Sequence, residues 1–338
     1  MKVLVVLYGG MGDCLNDSYN IFAGVKRCYK NAETTLLISA WTNKNPLASS
    51  PFIDEHLIIE DNENFWNNED SHKLKGRHFD AIHMICHHAQ PYELLRHVTF
   101  DKLIIYYGNE HYAKVVPPDI LAKADKVGWH HLNAGLRYKC PYFFIDEDFN
   151  RMIKCIDSFV KDKKIMCFTP FSSSKERDFP MNKIEEIINR YHDEYAIIMT
   201  VVLSKYMFIN NRGPEWLKKL EEFEKSDKVL TIIDRPGDEK LGVGGLAALM
   251  ETSDLILSTH AGTETLSSLF NTPTIAISDN LNPLRVRYRS YPFVHIQVDK
   301  VANIKMEYIE QAIEVLKTQS KYNLSFKGMT ELDYSVGK

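Results

Sequence analysis

Residues 2–7, KVLVVL, constrain this chain more than any other stretch. Five consecutive apolar residues leave no polar face, so a strand built from them must be covered on both sides. That is the environment of a parallel sheet flanked by helices. The run ends in a glycine-rich turn, residues 8–13 (YGGMGD). A helical stretch over about 17–29 follows, with Ile21, Val25 and Cys28 on one face. Residues 34–39 (TTLLIS) then read as a second strand. A β-loop-α-β opening implies an α/β architecture. One lysine before a short apolar core, followed by glycines, reads as a buried first strand and not as a signal peptide.

Residues 56–59, 81–85 and 102–106 are further strand candidates, and the polar stretch 61–78 reads as a surface excursion. Residues 115–126 carry Pro117 and Pro118 where a helix would start. A second α/β unit begins near Lys164. Its strands are expected at 165–169, 195–202, 229–233, 255–258 and 274–278, and its helices at 183–192, 246–251, 264–270 and 306–319. At 338 residues the chain suits two domains of about 150 residues each. The expected division is 1–155 and 156–338, joined near 150–163, with the last helix free to pack back on the first domain.

Charge and cysteine usage exclude several classes. The net charge is −4, and residues 1–150 hold 15 Lys+Arg against 19 Asp+Glu. A nucleic-acid binder would show a basic excess. No apolar run approaches the roughly 18 residues of a membrane span, so membrane contact is expected to be peripheral at most. Cys14, Cys28, Cys86, Cys140, Cys155 and Cys167 form no CxxC pair, and read as reduced thiols of a cytoplasmic protein.

Three loops follow strands, where open parallel sheets bind ligands. The first contains Gly9, Gly10, Gly12 and Asp13. Glycines allow close backbone approach, and Asp13 is the first ionisable side chain after the strand. The plainer reading makes Asp13 a helix N-cap. The second contains Ser172, Ser173, Lys175 and Arg177, whose hydroxyls and cations suit phosphate oxygens; it also reads as an ordinary solvated loop. The third is His260, Ala261, Gly262, Thr263 and Glu264. Its backbone N–H groups can meet a diphosphate, and Glu264 can accept two ribose hydroxyls. Helix-dipole complementation also accounts for Glu264, and a half-buried structural histidine accounts for His260.

Taken in order, these blocks resemble the ADP-heptose heptosyltransferases, glycosyltransferase family 9, over roughly residues 1–290. The resemblance rests on Met11-Gly12-Asp13, on Arg177-Asp178-Phe179-Pro180 after a Ser-rich loop, and on SDLILSTHAGTETLSSLFNTPTIAIS with Thr272-Pro273 and Asn282-Pro283. It implies a GT-B fold, two Rossmann-like domains whose parallel sheets face a central cleft. It also implies an inverting mechanism, no obligatory cofactor or metal, and a nucleotide-sugar co-substrate such as ADP-heptose. By position Asp13 would be the general base, Ser172, Ser173 and Arg177 would hold the donor diphosphate, and Gly262 with its neighbours would meet the donor. The chain departs from the family where His260 replaces an Asp and Thr265 replaces a His, so the resemblance leaves donor sugar and nucleotide open.

Ten of the thirteen histidines lie within residues 1–150. Adjacent pairs such as His87-His88 and His130-His131 point opposite ways on a strand, which disfavours a shared metal. His87, His88, Arg96 and Tyr107 are instead candidates for an acceptor surface, alongside Tyr106. The expected activity is transfer of heptose or a related sugar to a hydroxyl of lipopolysaccharide or another glycan, at or near the inner face of the cell membrane. A nucleotide-sugar epimerase or hydrolase, and a non-catalytic sugar-nucleotide-binding subunit, are the alternatives. The oligomeric state is not encoded legibly.

Overall fold

The computed structural model describes residues 1–8, 25–26, 29, 31–39, 52–59, 69–86, 90–107, 116–128, 146–172, 174–202, 212–235, 238, 240–267, 269–279, 292–318 and 323–327. Two compact units divide the chain, Met1–Phe143 and Phe144–Lys338.

The first unit holds a six-stranded parallel sheet built from β1 (Lys2–Tyr8), β2 (Glu33–Ser39), β3 (Glu55–Ile59), β4 (His78–Cys86), β5 (Thr99–Tyr107) and β6 (Asp125–Gly128). The spatial order is β3-β2-β1-β4-β5-β6. β1 is buried on both faces, as its unbroken apolar run requires: Val3, Leu4, Val5, Val6 and Leu7 are all fully enclosed. Leu4 and Val6 share one core with Leu37, Ile82, Met84 and Tyr92. Leu74 of α1 (Glu69–Leu74) joins that core, so the expected surface excursion over 61–78 contains a packed helix in its described part. Asp70 fastens this helix by accepting from the Ile58 N–H at 2.8 Å.

The helix expected to start at Pro117 and Pro118 does so as α2 (Pro118–Leu121), but it runs for only four residues, and β6 then pairs with β5 from Ile104↔Asp125 onward. So short a turn cannot hold itself against strand pairing at an open sheet edge.

In the second unit the order is α3 (Asp146–Val160), β7 (Lys164–Thr169), α4 (Met181–Tyr191), β8 (Tyr195–Val202), α5 (Pro214–Glu224), β9 (Val229–Asp234), α6 (Gly242–Thr252), β10 (Leu255–Thr259), α7 (Gly262–Ser267), β11 (Thr274–Asp279), β12 (Phe293–Val298), α8 (Met306–Thr318) and β13 (Asn323–Lys327). Seven parallel strands run β13-β12-β11-β10-β7-β8-β9. Ile184, Ile187, Ile188 and Tyr191 give α4 one buried stripe at helical spacing.

α3 lies where a junction between domains was expected, and it packs within the second unit against α6. Gly244 makes that approach possible, because a β-carbon there would lie 1.7 Å from Asp148 Oδ1. α8 places Met306, Ile309, Ala312, Ile313 and Leu316 in the second unit's own core.

Both sheets reverse strand order once among their central strands, between β1 and β4 and between β7 and β10. Loops leaving the carboxyl ends of those strands diverge to opposite sides, which opens a crevice for ligands.

Candidate functional site

At the second reversal the strand ends are polar. Thr169 Oγ1 donates to Ser258 Oγ at 2.6 Å, and Ser258 Oγ donates to the Thr259 carbonyl at 2.8 Å. The loop after β7 is closed by Phe179 N–H on the Pro170 carbonyl at 2.9 Å. Beneath it lies a buried ion pair: Arg212 and Asp178 have side chains 1% and 8% exposed. Arg212 Nη2 donates to Asp178 Oδ1 at 2.9 Å and to the Ser172 carbonyl at 2.8 Å. Asp178 Oδ1 also accepts the Ser172 N–H at 2.8 Å. Burial pushes the Asp178 carboxyl up, and Arg212 pulls against it.

This frame holds the expected donor residues in unequal ways. The Ser172 hydroxyl is buried and turned inward, donating to the Ser174 carbonyl at 2.7 Å and accepting the Ser174 N–H at 3.0 Å. Lys175 is exposed and Arg177 half-buried. Arg177 Nη1 donates to the His260 carbonyl at 3.4 Å, and the Arg177 carbonyl accepts from Thr259 Oγ1. The loops after β7 and β10, more than eighty residues apart in sequence, are thereby tied together.

After β10, His260 N–H continues the sheet by donating to the Ile277 carbonyl at 2.9 Å. Ala261, Gly262 and Thr263 are half-buried at the start of α7. His260 Nδ1 lies 3.0 Å from Glu264 Oε2, with His260 18% exposed and Glu264 1%. Glu264 is thus a buried partner of His260. Thr263 Oγ1 is buried without a hydrogen-bond partner among the described residues.

Three contributors escaped the sequence reading. Arg212 and Asp178 form the loop's buried support. Asp234, at the end of β9, accepts the Leu241 and Gly242 N–H groups at 2.8 and 2.7 Å and so caps α6. An aspartate ending an apolar strand just before a helix was the available signal for Asp234.

At the first reversal, register pairs Tyr8 with Cys86, so the roots of the loops bearing Gly9, Gly10, Gly12, Asp13 and of the one bearing His87, His88 stand side by side. Those six residues and Ser173 lie outside the described residues. Tyr107 ends β5 opposite Gly128. Arg96 precedes the amino end of β5, the opposite edge from these loops, and its Nε pairs with Glu93 at 3.2 Å.

Deeper in that sheet, His83 Nδ1 and the Tyr106 hydroxyl are 2.8 Å apart, with rings stacked at 5.8 Å. Desolvation, aided by Lys102, holds the His83 imidazole down at about 4, and burial pushes the Tyr106 phenol up. Cys86 and Cys167 are buried with thiols pushed up by desolvation, which suits inert core residues. His78, Asp80 and Asp101 bring possible ligand atoms within 4.8 Å of one another at the amino edge of the first sheet. They are largely exposed and already engaged, His78 with Thr99 at 3.0 Å and Asp80 with the Lys2 N–H. No helix among the described residues is long and apolar enough to cross a membrane.

No family model matches the chain, and no curated protein does. Solved structures do. The glycosyl transferase family 9 protein of Veillonella parvula DSM 2008 aligns over 94% of this chain and 97% of its own, with TM-score 0.71 and 13% identity. E. coli ADP-heptose lps heptosyltransferase II aligns over 94% and 99%, with TM-score 0.69 and 12% identity. The fold is that of the family 9 glycosyltransferases. E. coli heptosyltransferase WaaC, solved with ADP, gives TM-score 0.64 over 93% of this chain and 99% of its own at 12% identity. The two doubly wound sheets are accordingly those of a GT-B protein, in agreement with the resemblance read from the sequence. At such identity the likeness carries the fold, and the chemistry must be argued from the residues.

Proposed function

We propose that this protein is an inverting glycosyltransferase, which moves heptose or a related sugar from a nucleoside-diphosphate donor to a hydroxyl of a glycoconjugate such as lipopolysaccharide. The observation that carries this reading is the tie between the two loops at the second reversal, which places Arg177 beside His260 on a rigid, buried support. In such a displacement the acceptor oxygen bonds to the anomeric carbon as the bond to the diphosphate breaks. Asp13 takes the acceptor's proton, the role assigned to it by resemblance, and a positioned base of this kind contributes about 10²–10⁴-fold. Charge grows on the departing diphosphate, where the Arg177 guanidinium, with Lys175 nearby in the chain, stabilises it. No metal is required, since side-chain cations and backbone donors serve the leaving group. ADP-heptose is the expected donor, and the reaction is placed in the cytoplasm, at or near the inner membrane face.

A thermal-shift panel of ADP, UDP, GDP and their common sugars tests the reading, followed by transfer to a saccharide acceptor. Stabilisation by one nucleoside diphosphate, with acceptor-dependent release, is expected. Binding of NAD alone, or of no nucleotide, would overturn it. Free nucleotide or an epimer formed without an acceptor would point to a hydrolase or epimerase.

A further inference from the structure

Glu264 has the most deeply buried carboxylate described at the second reversal, 1% exposed. A side chain so enclosed presents almost no surface to ribose hydroxyls. What its pair offers to a ligand is the imidazole of His260, 18% exposed. An ionised carboxylate only accepts hydrogen bonds, so the 3.0 Å contact assigns a hydrogen to Nδ1 and leaves Nε2 as the nitrogen to offer. The Ser267 hydroxyl donates to the Glu264 carbonyl at 2.6 Å, and His260 N–H is held by Ile277, so both ends of the pair are fixed in the backbone. Arg177 Nη1 on the His260 carbonyl adds a guanidinium to the same patch.

We infer that Glu264 is a positioning residue for His260, and that His260 Nε2–H and Arg177 together bind diphosphate oxygens of the nucleotide, in place of a Glu264–ribose contact. The inference rests on the transferase reading. Diphosphate binding then brings one proton from solvent to Nε2: with Nε2–H donating to a phosphate oxygen and Nδ1–H to Glu264, the ring carries one positive charge and the carboxylate one negative. The pair is then neutral as a unit, which suits a place largely closed to solvent. Both ring nitrogens make charge-assisted hydrogen bonds, the stronger class. Truncating either member therefore removes the same interaction.

Calorimetry on the full chain tests this with whichever of ADP, UDP and GDP the wild type binds best, and with the matching nucleoside. The variants are Glu264→Gln, His260→Gln and the double substitution. Each single change is expected to weaken diphosphate binding about tenfold, the scale of one charged hydrogen bond. The double variant should be about as weak as either single one, because the two residues act as one unit. Nucleoside affinity should not move. Should Glu264→Gln fail to fold, Glu264→Asp withdraws the carboxylate from Nδ1 while keeping its charge, and the same diphosphate-selective loss is expected. Losses that add in the double variant, or that are equal for nucleoside and diphosphate, overturn the inference and leave the transferase reading standing. A wild type that binds none of the three diphosphates removes both.

Discussion

The two sheets share one strand order about their reversals, yet they finish their strands in different chemistry. In the first, β1 and β4 end in Tyr8 and Cys86, and the proposed base Asp13 and the acceptor candidates His87 and His88 belong to the loops beyond. In the second, Thr169, Ser258 and Thr259 carry polarity into the strand ends themselves, and a buried Arg212–Asp178 pair braces the loop above β7. A site that holds a multiply charged ligand needs donors fixed before the ligand arrives, and fixing them requires a hydrogen-bonded base. A site that supplies one carboxylate base needs only a turn permissive enough to present it. The transferase proposed above would use this difference as a division of labour, with donor binding in the second unit and proton abstraction by the first.

Asp13→Asn would break this comparison most decisively. Turnover should fall about 10²–10⁴-fold while calorimetric binding of the nucleoside diphosphate is retained; loss of binding with turnover would dissolve the division. Next comes Arg212→Ala, which leaves Asp178 buried without its cation. Urea denaturation should show a loss of about 3–5 kcal/mol in the second unit, and an unchanged midpoint would mean that the brace is not structural.

His83 sharpens the first sheet's side. Its folded value of about 4 lies below its ordinary 6.5, because desolvation disfavours the charged ring. The stability that follows is fully present above pH 6.5 and is lost as pH falls through 4. Each pH unit between those two values is worth about 1.4 kcal/mol, so the whole effect is at most about 3.5 kcal/mol. Denaturation midpoints between neutral pH and pH 4.5 should decline in the wild type and flatten in His83→Phe. The smallest effect is expected from Gly244→Ala, where Asp148 must swing aside or α3 must part from α6. A loss of about 1–2 kcal/mol on thermal unfolding is expected, with diphosphate affinity unchanged.

Much of the fold was readable in one dimension. β1 and β7 carry unbroken apolar runs and β8 is interrupted by Thr200 alone, and a doubly covered parallel strand suits all three. β6, DKVG, and β13, NLSFK, were not readable, because an edge strand owes its conformation to the neighbour it pairs with. α3 was hidden by the charged residues between its few buried positions, Met152 and Ile156. The loops of the site were marked by composition: serines with Arg177 after β7, and a His-Ala-Gly turn after β10.

Side-chain assignments within those loops were less secure, and the reason is burial. Ser172 and Glu264 look like ligand groups when spelled out in sequence, yet one folds its hydroxyl onto its own loop and the other lies beneath His260. Arg212 carries no local mark at all, since Asp178, the residue that makes it matter, is 34 positions away. The chain's hydrophobic pattern was enough to establish two α/β units and the opening strand β1 of the first, because covering an apolar run is a local demand. Which polar groups brace a loop and which remain to meet a ligand depends on what solvent can still reach after packing. That selection is made by contacts between residues far apart in the chain, and no pattern along it records them.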